Sequence, residues 1–219
     1  SGIYITPGED LVNKEVLPLI PSNTLNFRLG MNSGGGNKFQ GEMGRASILK
    51  RALNQEEVLK LAGNQSEQSG LNQEDIHFSS MSGLHLEIKD SSAWTDASAM
   101  TFEAWIKPTL NTPDGRILDK TPAGSDEGFL LDTYPGTGLR LIAGKIRFDV
   151  LNCLKADEWN HVAVAVDASQ QRMELYLNGK RVAGQGKNKS NLNEAFEVSR
   201  AYQLQRWVQA CAGRGAYPI

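Results

Sequence analysis

Two aromatic residues stand in turn-forming stretches. Trp94 lies in "KDSSAWTDAS" and Tyr134 in "DTYPGTG". An aromatic ring held at a surface can stack on the apolar face of a pyranose while nearby carboxylates and amides take up its hydroxyls. Asp96, Asn111, Asp114 and Asp132 accompany those rings along the chain and complete a candidate ligand-binding set. Turn-forming Asp and Asn need no ligand to explain them, so the inference rests on the aromatics. Trp105 and Trp159 fall inside strand-like patterns, which assigns them to core or inter-sheet packing. The chemistry expected is stacking and hydrogen bonding to an oligosaccharide or polysaccharide, with no bond made or broken.

Residues arranged for catalysis are harder to find. The sequence holds no G-x-S-x-G, no phosphate-binding glycine loop and no H-E-x-x-H. His77 and His85 have no His or Cys at metal-ligand spacing. Glu103 and Glu174 could form a carboxylate pair for glycoside cleavage, but both sit in alternating strand patterns where a solvated polar face explains them equally well. No catalytic residue, resident metal or cofactor is therefore expected. Cys153 falls in a strand-like segment and Cys211 in a helix-like one, which reads as two small buried apolar side chains, with a disulfide as the alternative. A formal net charge of −2 gives no basic field for nucleic acid or an anionic membrane surface. No apolar run is long enough to be read as a membrane-spanning helix.

The elements that must position these residues follow from periodicity. "TLNFRLG" alternates apolar and polar residues, "MNSGGGNK" supplies a glycine turn, and "FQGEMGRASIL" resumes extended character. "NQEEVLKLAG" carries helix marks: Asn54 as N-cap, Glu56 and Glu57 in the first turn, Gly63 as the stop. A polar connection follows. Beyond residue 76 the chain runs as short strands, from "LHLEI" and "MTFEAWIKP" through "GLRLIAGKIRFDVL" and "WNHVAVAVD" to "QRMELYLNGKRVAG". Turn residues separate them, and Asn178-Gly179 predicts a tight hairpin. The pattern is that of an all-β sandwich. "LNEAFEVSRAYQLQRWVQACAG", residues 192–213, changes to three- and four-residue apolar steps and predicts an amphipathic C-terminal helix.

"MTFEAWIKP", "GRILDK", "EWNHVAVAVDASQQRMELYLNGKRVA" and "FQGEMGRASILKRALNQEEVLKLAG" together resemble the laminin G-like, concanavalin A-like lectin and glucanase sandwich family. The resemblance implies a jelly-roll β-sandwich with one short helix. It also puts His161 at the family's W-x-H-V position, where a structural role is expected. The family's closing segment is similar to residues 24–63, yet here it precedes the family's opening one. Residues 22–65 are too short to bury a core, and residues 76–187 alone would leave strand edges unpaired. The expectation is a circularly permuted sandwich over residues 22–190, preceded by an irregular segment, 1–21, and followed by a helical tail, 191–219. The rival arrangement is the tail of one sandwich followed by a second, truncated one.

Calcium is common in the resembled family, held by an Asp in the first strand and acids near the last. The matching places here hold Ser79 and Ser82, and Gly44 and Arg45, which argues against the usual site; Glu42 or Asp126 could compensate. "AYQLQRWVQACAGRGAYPI" resembles the entry to a helical-toroid region of bacterial glycoside hydrolase-like proteins. The resemblance thus implies a non-catalytic carbohydrate-binding or accessory domain of a larger polysaccharide-degrading protein, with a downstream catalytic domain as its partner. Such a protein would be secreted or periplasmic, its signal peptide lying outside this sequence. The alternative is a structural or interaction spacer without glycan affinity.

Overall fold

The computed structural model describes residues 23–63, 76–78, 81–82, 85–89, 97–109, 114–122, 128–144 and 146–185. The chain divides into two compact units, Ser1–Lys187 and Asn188–Ile219, and every described residue belongs to the first. The expected helix over residues 192–213 lies outside the described residues, as does Cys211.

The first elements are β1 (Phe27–Leu29), β2 (Gly41–Leu49) and α1 (Gln55–Gly63). Short strands β3 (Ile76–Phe78), β4 (Met81–Ser82) and β5 (Leu86–Ile88) lead into the long β6 (Ala99–Pro108). Then come β7 (Gly115–Lys120), β8 (Phe129–Thr133), β9 (Leu139–Ala143) and β10 (Ile146–Val150). The last are β11 (Asn160–Asp167), β12 (Arg172–Leu177) and β13 (Lys180–Gln185).

These strands form two sheets. One has six strands in the order β10-β9-β8-β7-β1-β5; the other has seven, with the path β13-β12-β11-β6-β2-β3 and β4 also paired to β2. Both N-terminal strands are internal. β1 pairs antiparallel with β7 on one side and β5 on the other, and β2 lies between β6 and the β3 and β4 segments. The early glycine-linked strands therefore complete sheets whose other members come from residues 76–185.

Alternation along the strands builds the core between the sheets. Phe27 and Leu29 meet Ile48, Phe102, Ala104, Leu131, Leu141, Phe148 and the valines 162, 164 and 166 in one buried cluster. The intervening Ala163 and Ala165 face the other way and, with Tyr176, receive Leu49, Leu53 and Val58 in a second cluster around α1. Small side chains on that face let the helix lie close to the sheet.

Two readings from periodicity are revised. The segment read as a single run, "GLRLIAGKIRFDVL", is two strands, because Gly144 adopts φ 58° and closes a β9–β10 hairpin. Trp105 and Trp159 are half-buried and belong to neither core cluster. The core side of β6 is filled by Phe102, Ala104 and Ile106, which leaves Trp105 on its outer side. The Asn178-Gly179 turn is as expected, with φ of 50° and 74° joining β12 to β13.

Candidate functional site

The candidate set converges only in part. Asp132 and Tyr134 stand at the end of β8, and Asp114 immediately precedes β7, whose Gly115 pairs with Thr133. Trp94, Asp96 and Asn111 lie outside the described residues.

Asp132 is buried, and its partners explain why that is tolerable. Register places it between Arg140 on β9 and Arg116 on β7. Arg140 donates through Nε to Oδ1 at 3.0 Å and through Nη2 to Oδ2 at 2.6 Å, while Arg116 donates to Oδ2 from the opposite side. Burial raises the Asp132 pKa, the charge of Asp114 adds to that, and the two guanidinium groups offset it only in part. Three N–H donors from two guanidinium groups occupy most of the acceptor sites of this carboxylate. Asp132 therefore orients Arg116 and Arg140, a role the sequence did not suggest.

The arrangement continues across the outer face of the six-stranded sheet. On β10, Arg147 and Asp149 form a bidentate pair at 2.6 and 2.9 Å. On β7, Arg116 also approaches Asp119 at 3.4 Å; burial raises the Asp119 pKa against the pull of Arg116, of the Thr121 and Ser33 backbone and of Arg28. Arg28 on β1 stands in register with Asp119 and with Glu87 of β5, which it pairs at 3.0 Å. Glu87 is held low by Asn26's hydrogen bond and the Arg28 charge. Cross-strand pairing thus lays a band of alternating charge over all six strands.

Tyr134 stands at one end of this band. The Arg140 guanidinium lies 3.8 Å from its ring centroid and that of Arg147 lies 5.7 Å away. The Tyr134–Pro135 bond is cis, and the β8–β9 turn closes through Gly138 N–H to the Pro135 carbonyl at 2.9 Å. The half-buried ring is therefore backed by a fixed cation instead of projecting freely. The arginines were missed by composition. Their signal was positional: Asp132 and Arg140 are equidistant from Gly136 in a tight hairpin, and Arg147 follows β9 across the turn at Gly144.

The outer face of the seven-stranded sheet holds a second polar cluster. Glu103 accepts from Arg45 Nη2 at 3.2 Å and lies 3.0 Å from His161 Nε2, with all three side chains buried. Burial opposes ionisation of Glu103, but His161, Arg45 and Ser47 together outweigh it and hold the carboxyl below its ordinary range. Arg45 also donates to the Leu61 carbonyl at 3.3 Å, fastening α1. Glu174 has its own partners: Arg172 at 2.7 Å, Arg181 at 3.3 Å and the Tyr176 hydroxyl at 2.6 Å. Neither glutamate is on a solvated face, as the alternation had suggested. Each is buried in its own ion-pair cluster.

Of the positions matching the resembled family's calcium ligands, Gly44 and Arg45 are described, whereas Ser79 and the Ser82 side chain lie outside the described residues. Gly44 offers no side-chain oxygen and lies beneath Trp159, whose Cζ3 would meet an added Cβ at 3.3 Å. Beside it, Arg45 places a guanidinium on Glu103. Among the described residues no group of three or more His, Cys, Asp or Glu is arranged to hold a metal. Cys153 is a half-buried free thiol whose Sγ donates to the Val150 carbonyl at 3.3 Å, and burial pushes its pKa up to about 11.

Comparison with known families agrees with this architecture. The model of the concanavalin A-like lectin/glucanases superfamily matches residues 81–208, more than half of the chain. The chain belongs to this superfamily. The match begins at β4, so β1, β2 and α1 precede it in sequence although both strands are internal to the sheets. No curated protein and no solved structure matches the chain. At a coarse level, a concanavalin A-like lectin/glucanase domain fits a carbohydrate-binding module.

Proposed function

We propose that this domain binds carbohydrate without cleaving it, as an accessory module of a larger, exported polysaccharide-degrading protein whose catalytic domain is its partner. Superfamily membership supports the class of ligand. The observation that carries the site is Tyr134, half-buried and backed by Arg140 at 3.8 Å, at the end of a band of hydrogen-bonding groups. A ring so fixed can stack on a pyranose, while guanidinium N–H groups reach its hydroxyl oxygens. Trp94, Asp96, Asn111 and Asp114 remain proposed contributors. The same reading treats β1, β2 and α1 as the family's closing elements carried at the front of the chain, a circular permutation.

A non-catalytic role fits the pairing of the carboxylates. Asp132, Asp149, Glu103 and Glu174 each close on arginine. That same pairing favours a second reading, a spacer that docks on its neighbour with no glycan affinity, because a band whose charges are paired internally requires no ligand.

Affinity electrophoresis of the full chain through gels containing different polysaccharides decides between them. Retardation in at least one gel, lost in Tyr134→Ala and weakened in Trp94→Ala while thermal melting is kept, is the expected result. Unretarded migration in every gel would favour the spacer, and release of sugar from any of them would overturn both readings.

A further inference from the structure

The outer face of the six-stranded sheet carries four guanidinium groups, Arg28, Arg116, Arg140 and Arg147, closed on four carboxylates, Glu87, Asp119, Asp132 and Asp149. From this balance we infer that the glycan taken by this face is uncharged, a polymer of neutral sugars and not a uronate or sulfated one. The inference rests on the carbohydrate-binding reading and narrows it to a substrate class.

The pairing leaves little for an anion. A carboxylate or sulfate bound at Arg140 would compete with Asp132, whose two oxygens already hold Nε and Nη2 at 3.0 and 2.6 Å. At Arg147 it would compete with the bidentate contact to Asp149. Both internal carboxylates are 0–1 % exposed, so displacing either would strand a buried charge. Asp114 adds a further negative charge close enough to raise the Asp132 pKa. Among the described residues the charges at the Tyr134 end balance, which gives a polyanion no net attraction.

A hydroxyl faces no such competition. A guanidinium has five N–H donors in one plane, and Arg140 directs only two of them at Asp132 in the bidentate contact. A neutral sugar oxygen can accept from that plane without displacing a carboxylate, and it carries no charge to desolvate. The Tyr134 ring, 3.8 Å from the same guanidinium, supplies an apolar face beside those donors.

The test runs the full chain through gels containing neutral polymers, a β-glucan and a galactomannan, and through gels containing polygalacturonate or heparin at low salt. Retardation by a neutral polymer and none by the polyanions is expected. Two variants then unbalance the band: Asp149→Asn removes the bidentate acceptor of Arg147, at 26 % exposure the most accessible guanidinium of the four, and Asp132→Asn removes that of Arg140 while Arg116 keeps Asp119. Either should increase retention by polygalacturonate about tenfold, reversed by added salt. If the wild-type chain is held by polyanions as strongly as by neutral polymers, the inference is wrong while the carbohydrate-binding reading stands. If no polymer of either kind retards it, that reading fails and takes the inference with it. The wild-type comparison decides even if a variant does not fold.

Discussion

Asp132 and Glu103 are both carboxylates buried against arginine, yet they titrate in opposite directions. Burial dominates at Asp132 and raises its pKa, so the native state takes up that proton before the unfolded chain does. As pH falls through the raised value, Asp132 shifts the balance towards the native state. At Glu103 burial is outweighed by His161, Arg45 and Ser47, and the pKa lies below the ordinary carboxylate range. Its stabilisation is complete above the unfolded value and drains away as pH falls from there towards the folded one. Urea midpoints followed from about pH 7 to about pH 3 should therefore fall less steeply in Glu103→Gln than in the wild type, and more steeply in Asp132→Asn. At neutral pH Glu103→Gln should cost about 3 kcal/mol, because the buried Arg45 guanidinium loses its carboxylate. Slopes identical to the wild type in both variants would contradict the assignment. Sequence pointed to Asp132 as a ligand contact because a turn acid beside a tyrosine has that chemistry. It could not show that the β8–β9 hairpin aims Arg140 at the same carboxylate, which is a property of register.

The short helix was legible residue by residue, because its determinants are local. Asn54 Oδ1 accepts from the Glu57 N–H at 3.0 Å, and Glu57 Oε2 accepts from the Asn54 N–H at 2.9 Å. This reciprocal pair satisfies two donors at the start of α1. Asn54→Ala should lower stability by about 1 kcal/mol, measured by chemical denaturation, with no change in the fold. A loss near zero would mean that docking against Ala163, Ala165 and Tyr176 alone holds the helix. The neighbouring strand was less legible. Between Met43 and Ala46, β2 bulges against β6, so that both residues face the core and Arg45 turns outward to Glu103. An extra residue of this kind breaks the two-residue period on which strand reading depends. Trp105 was misjudged for a related reason: periodicity assigns it a face of β6, but only packing shows that nothing like the inter-sheet core covers that face.

At the scale of the molecule, the order of elements along the chain and their order in space disagree. β1 lies between β7 and β5, and β2 connects β6 to β3, so the first two strands join segments that follow them by tens of residues. This placement was legible from length arithmetic and the need to pair strand edges, since neither piece could close a core alone. The contact of Tyr134 with Arg140 and Arg147 was not legible, because turn residues carry no periodicity. A chain starting at residue 76 should lose cooperative thermal melting, as it would expose Leu118 of β7 and Phe102 and Ile106 of β6 where β1 and β2 now pair. Retention of a sharp transition by that truncation would mean that the later strands form a core by themselves. A second consequence concerns where ligand meets protein. Its most direct test is backbone hydrogen exchange of the full chain with and without oligosaccharides cut from whichever neutral polymer retards it. Slowed exchange over residues 114–150, on β7 through β10, accompanied at most by the segments holding Trp94, Asp96 and Asn111, is the predicted result. Slowed exchange around Trp105 and His161 on the opposite sheet, with none at Tyr134, would contradict it.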